Sequence, residues 1–306
     1  MRRFRPIFVS KLIFPQERGA DGFIIVAVLW ILAALATLAA VYSVYVSNTA
    51  IAAHVGDDRL RAEALVSAGV ELTAYRLVAF EENKRPTSGA FAFRLGRSDV
   101  AVEFRSEGAR IDLNAAPKEL LAGLFTTLGA KPENAQYYAE RIVGWRTKSE
   151  AAGQNKEADA YREAGLSYAP RQAPFQNVAE LRLVLGLPPN LVESALPLVT
   201  VFNGRAEVDV IEAAPEVVAS LPKINPNMIG EILARRHVQT PEAIMALLGA
   251  ARSSVAIEGR KATRASVHVA LDNGRRVNAD VVLLILEEGQ EPYRILSWRD
   301  DFDGPV

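Results

Sequence analysis

"ERGADGFIIVAVLWILAALATLAAVYSVYV", residues 17–46, passes from a charged, glycine-ended lead into an apolar run with no spacer between them. No charged residue occurs from Phe23 to Val46, and the next one is Asp57. As a helix rising about 1.5 Å per residue, residues 23–46 span about 36 Å, enough for a hydrocarbon core of roughly 30 Å. A secretory signal has an apolar region of only ~7–15 residues before its cleavage site, so this run reads as a transmembrane segment. Ahead of it lie Arg2, Arg3, Arg5, Lys11 and Arg18 against Glu17 and Asp21, the bias that keeps an N-terminus cytoplasmic. The bulk of the chain is then expected across the membrane.

Helical spacing continues downstream, with Leu60, Ala64, Ala68, Leu72, Tyr75 and Ala79 near one face. The membrane helix is therefore predicted to run on to about Phe80, half in lipid and half amphipathic. The 306 residues, 50% of them hydrophobic, suffice for one or two ordinary cores. With 35 basic and 36 acidic residues, no global field favours nucleic acid or an anionic surface. Cysteine is absent, which excludes disulfides, thiol nucleophiles and thiolate metal sites and leaves the compartment open.

The middle of the chain repeats itself. "RIDLNAAPKELLAGLF" from Arg110, "YYAERIVGWR" to Arg146 and "PFQNVAELRLVLGL" from Pro174 are followed by "AEVDVIEAAPEVVASL" from Ala206, "MIGEILARR" to Arg236 and "TPEAIMALLGA" from Thr240. Each copy has a β-like pair around Asp112 or Asp209, an Ala-Ala-Pro turn into a helix, a second helix ending in Arg, and a short third helix. Pro117 and Pro215 fit a first helical turn, where a missing N–H costs nothing. Asn114, Asn177 and Thr240 are candidate N-caps.

At the C-terminal end, "RASVHVAL" and "NADVVLLILEEG" are strand-like and joined by "DNGRR", a hairpin signal. "YRILSW" follows as a third strand. "AFAFRLG" and "DVAVEFR", residues 90–105, form a matching hairpin ahead of the repeats. Both hairpins are expected in one antiparallel sheet packed on the long helix.

Catalysis finds no foothold. His54, His237 and His268 lack partners at metal or triad spacing. No P-loop, dinucleotide-binding glycine turn or Gly-x-Ser-x-Gly occurs.

The junction of Gly22 and Phe23 after a basic leader resembles the leader of type IV prepilins and pseudopilins, which a prepilin peptidase cuts after Gly and whose new N-terminal residue is methylated. The resemblance implies cleavage between Gly22 and Phe23. Most relatives carry Glu at the fifth mature position, whereas here it is Ala27. A carboxylate in lipid is costly unless paired, and its absence is a habit of the minor pseudopilin K of the type II, or general, secretion pathway. The stretch "APFQNVAELRLVLGLPPNLVESALPLVTVFNG" and the start of the second repeat are also similar to that family, in order, as far as about Ile232.

What the resemblance implies is an α+β fold: a long N-terminal transmembrane or spine helix, a small antiparallel pseudopilin sheet, and an inserted helical domain of two helix-hairpin-helix-like (SAM-like) repeats. The expected division is a leader at 1–22, a transmembrane segment at 23–46, the periplasmic spine at 47–80, sheet at 81–106 and 255–306, and helical units at 107–203 and 204–254. The function implied is structural. The chain would be a single-pass inner-membrane protein with a cytoplasmic N-terminus, placed at the pseudopilus tip with other minor pseudopilins. It would support pseudopilus initiation and export across the outer membrane.

An anchor followed by helix-hairpin-helix units is also the layout of a membrane-anchored DNA receptor. Here the hairpins read "TTLGAKPEN" and "LPKINPN" without Gly-x-Gly, and charge across residues 107–203 is nearly balanced, so no nucleic-acid partner is expected. An unrelated anchored periplasmic scaffold is the third layout. In the polar stretch 147–173 the resemblance implies a calcium site. Its acidic candidates here are Glu150, Glu157 and Asp159, with Lys148 and Lys156 among them, few carboxylates for an ion that wants six to eight oxygens.

Overall fold

The computed structural model describes residues 20–81, 84–148, 156–256 and 262–302, with side chains left aside at 20–22 and 50–55. Helix α1 covers Ala20–Val78. The hairpin β1 (Ser88–Leu95) and β2 (Ser98–Ser106) leads through a short 3-10 turn into β3 (Ile111–Asp112). Then come α2 (Lys118–Thr127), α3 (Pro132–Arg146), α4 (Lys156–Glu163), a 3-10 turn at Val178–Leu183, α5 (Pro189–Ala195) and β4 (Val199–Thr200). The second copy supplies β5 (Val208–Asp209), α6 (Pro215–Ala219), α7 (Pro226–Arg235), α8 (Pro241–Leu247) and β6 (Val255–Ala256). Strands β7 (Ala262–Ala270), β8 (Arg276–Ile285) and β9 (Tyr293–Asp300) follow.

The chain divides into two compact units, residues 1–60 and 61–306. In the first, residues 23–49 form a helix long and apolar enough to cross a membrane. Its large apolar side chains, Phe23 through Val46, are all exposed. Its two threonine hydroxyls are satisfied within the helix: Thr37 donates to the Ala33 carbonyl at 2.7 Å and Thr49 to that of Tyr45 at 2.8 Å. A hydrocarbon surround demands such internal partners.

In the second unit a five-stranded antiparallel sheet runs in the order β1-β2-β7-β8-β9. Alternation puts Val100, Val102, Val267, Val269, Val281 and Leu283 on one face, against Leu65, Val66, Val70, Ala74 and Leu77 of α1. Gly69 permits this approach, since a Cβ there would lie 3.1 Å from Val267 and 3.2 Å from Val102. Thr73, fully buried in the same seam, donates to the Gly69 carbonyl. The face expected from the sequence is the wrong one. Leu60, Ala64, Tyr75 and Ala79 are exposed, with Ala68 and Leu72 half-buried. The helix is apolar on two faces, and β-branched residues with Gly69 fit a flat sheet more closely than the face carrying Tyr75.

Both repeats lie between β2 and β7 and share a single core, with Leu121, Phe125, Ile142, Tyr161, Val217, Ile232 and Ile244 in one cluster. Gly123 of α2 touches α6 so closely that a Cβ would sit 2.1 Å from the Ser220 carbonyl oxygen. Parallel two-residue bridges tie each copy's start to its end, β3 to β4 and β5 to β6. Asn114 is not a helix cap. It braces the core by donating Nδ2 to the Phe175 carbonyl at 2.9 Å and accepting from the Phe175 N–H at 2.7 Å. Asp112 turns the chain in its place, its Oδ1 accepting from the N–H groups of Asn114 and Ala115. Asn177 and Thr240 do cap, taking the N–H of Ala179 and Ala243, although Asn177 begins a 3-10 turn rather than an α-helix.

Candidate functional site: interaction surfaces and the seam between head and sheet

Among the described residues no catalytic constellation assembles, and the side chain of His54 lies outside them. His268 meets Asn278 at 2.7 Å on the outer sheet face, and His237 is exposed beyond α7. Among the described residues no group of three or more metal-binding side chains comes together. Of the calcium candidates, Glu150 lies outside the described residues. Glu157 pairs with Arg141 at 3.1 Å and Asp159 with Arg162 at 2.8 Å. Burial raises the Glu157 pKa above the ordinary carboxylate value, against the attraction of Arg141. A Cβ at Gly144 would stand 2.8 Å from the same carboxylate, so the glycine makes room for it.

The polar stretch 147–173 is more than a solvated loop. It contains α4, anchored by fully buried Tyr161, whose hydroxyl accepts from the Leu185 N–H at 2.8 Å. Burial pushes that hydroxyl's pKa up to about 12. One large aromatic in an otherwise polar octapeptide is the only signal the sequence offers for it.

Gly22 lies in α1, Phe23 is exposed at the head of the apolar segment, and Ala27 sits half-buried one turn on. The apolar surface of α1 does not end with the membrane segment: Leu60, Tyr75 and Val78 are exposed on its polar half. Exposed apolar side chains of this kind are what a helical partner covers.

The repeats have matching internal geometry. Arg146 at the end of α3 donates to the Leu113 and Ala116 carbonyls, and Arg236 just past α7 donates to those of Val210 and Ala213. Hairpin geometry matches as well, with Gly129 and Lys223 both at positive φ three residues before the first proline of α3 or α7.

Where the helical part joins the sheet, the carboxylate of Glu107 is fully buried. It accepts from Arg264 Nε of β7 at 2.7 Å and from the hydroxyl of Thr200 in β4. Removing one partner of such a buried pair typically costs about 3–5 kcal/mol. The sequence reading missed this seam, because its members lie far apart in the chain and none belongs to a motif.

Residues 103–204 match the model of a family described as type II secretion system protein K. The match spans about a third of the chain, from β2 to the end of the first repeat. A chain of the crystal structure of the GspK-GspI-GspJ complex from the enterotoxigenic Escherichia coli type 2 secretion system shares the fold, with a TM-score of 0.57 at 14% identity. The match covers 79% of this chain and 94% of that one. No curated protein sequence matches the chain. Both findings support the resemblance to the minor pseudopilin K of type II secretion. The exposed apolar helix fits an anchored component of such a secretion system.

Proposed function

We propose that this chain is the K-type minor pseudopilin of a type II secretion system, placed at the tip of the pseudopilus. The observation that carries the reading is the splice of a two-repeat helical head between β2 and β7 of a sheet that packs on the continuation of a membrane-length helix. The bulk of the chain is periplasmic and the helix is held in the inner membrane, with the N-terminus cytoplasmic before processing. Prepilin peptidase removes residues 1–22, and Phe23 becomes the methylated N-terminus. The partners are the other minor pseudopilins of the system, as GspK, GspI and GspJ occur together in the similar structure. Exposed Leu60 and Tyr75 are side chains a neighbouring spine helix would cover.

Mass spectrometry of the protein isolated from membranes tests the reading. A chain starting at Phe23 with one added methyl group is expected, together with co-purification of the other minor pseudopilins. A chain still starting at Met1, or one cut after the apolar run, would return it to a plain anchored scaffold.

A further inference from the structure

We propose that the cleft between the last third of the first repeat and the outer face of the sheet binds a carboxylate presented by a partner protein, held by Arg110 and Arg299. The cleft encloses about 260 Å³. Val178, Leu196 and Pro197 line it from the head, and Arg264, Asp280 and Arg299 from β7, β8 and β9. Arg110 lines this cleft and also a second one of about 430 Å³ over β1 and β2.

The charges in it are unequally satisfied. Arg264 is committed to Glu107, and Arg182 is held by both oxygens of Glu193 at 2.7 and 3.0 Å. Asp280 accepts the Ser266 hydroxyl at 2.6 Å. The guanidinium groups of Arg110 and Arg299 make no hydrogen bond or ion pair among the described residues. Within the cleft the two guanidinium groups share the single carboxylate of Asp280, which lies opposite Arg299 in the sheet, while Glu103 lines the second cleft beside half-buried Arg110. Burial, then the nearby Arg264 cation, hold the Arg110 pKa below the ordinary arginine value. An incoming anion would relieve both effects.

Apolar walls decide the class of ligand. Val178, Leu196 and Pro197 can cover the methylene stem of an Asp or Glu while the carboxylate meets a guanidinium fork. The bound carboxylate would touch head and sheet together, reading the relative placement that the Glu107 seam fixes. Only the identity of the partner subunit rests on the proposed function.

The test uses the full chain in detergent and a fluorescent tetraglutamate peptide at low salt, followed by anisotropy. Salt-sensitive binding is expected, weakened about tenfold or more in Arg110→Ala/Arg299→Ala. It should be unchanged in Arg94→Ala/Arg276→Ala, which removes equal charge elsewhere on the sheet. Absence of binding, equal loss in both variants, or displacement by inorganic phosphate as ready as by unlabelled peptide would overturn the proposal. In a second arm, the Arg110→Ala/Arg299→Ala chain is co-purified with the other minor pseudopilins. If wild type assembles and the variant assembles equally well, the cleft fails as a partner site while the proposed function stands. If wild type does not assemble, the function fails and the peptide arm still decides the cleft.

Discussion

Arg146 and Arg236 each spend a guanidinium on two backbone carbonyls one repeat apart, at equivalent places. The carbonyls belong to the turn that leads into α2 or α6, and a rigid fork of donors satisfies two at once. Burial lowers the pKa of both arginines, yet they stay charged. Glu157 is a carboxylate whose ionisation the fold disfavours. Because its folded pKa lies above the ordinary carboxylate value, its contribution to stability is fully present below that value and is lost as pH rises through the folded pKa. Glu157→Gln keeps an acceptor for Arg141 without the charge. Its melting temperature should match wild type in acid and equal or exceed it at pH 7. A variant that loses stability only at neutral pH would mean that the Arg141 pair outweighs burial.

At the scale of elements, local chemistry explains what was legible. The Asp272-Asn273-Gly274 turn gives a hairpin with Gly274 at positive φ and its N–H on the Leu271 carbonyl at 3.0 Å. Period-two alternation in β2, β7 and β8 gave the sheet. The Asp-to-Arg frame gave the repeats. Illegible features were those set by packing between distant elements. The buried face of α1 depends on which of two apolar stripes fits the sheet, and α4 depends on one pocket for Tyr161. Even the Ala-Ala-Pro turn reads differently in its two copies: Pro117 is the N-cap of α2, while Pro215 is the first residue of α6. One extra residue separates Asp209 from its proline. The crossing of α2 and α6 can be tested by a glycine pair. Gly123→Ala forces a Cβ onto the Ser220 carbonyl and should cost about 1–3 kcal/mol in denaturant unfolding of the detergent-solubilised chain. Gly230→Ala, in α7 with nothing within 4 Å, should stabilise by about 0.5–1 kcal/mol. Equal effects at both sites would remove the close crossing.

For the whole molecule, the question is whether a subunit with this head can be repeated along a fibre. Neighbours in a helical filament repeat one heterologous contact without closure, so every subunit must leave room for the next. The head adds two repeats with a common core to one connection of the sheet, and Glu107 buried against Arg264 and Thr200 ties it there. It cannot fold aside without exposing an unpaired charge. Ala27 suits the proposed tip position, since a carboxylate there with no neighbour to pair it would be costly in lipid. Ala27→Glu should therefore leave secretion intact or mildly reduced, whereas removal of residues 107–250 should abolish initiation even if the remaining sheet and helix stay in the membrane. Secretion assays and counts of labelled subunits on isolated pseudopili check this together. One copy per fibre end is expected. Label recurring at regular intervals along the fibre, in amounts comparable with the major subunit, would show that the head can be accommodated between neighbours and would remove the tip position.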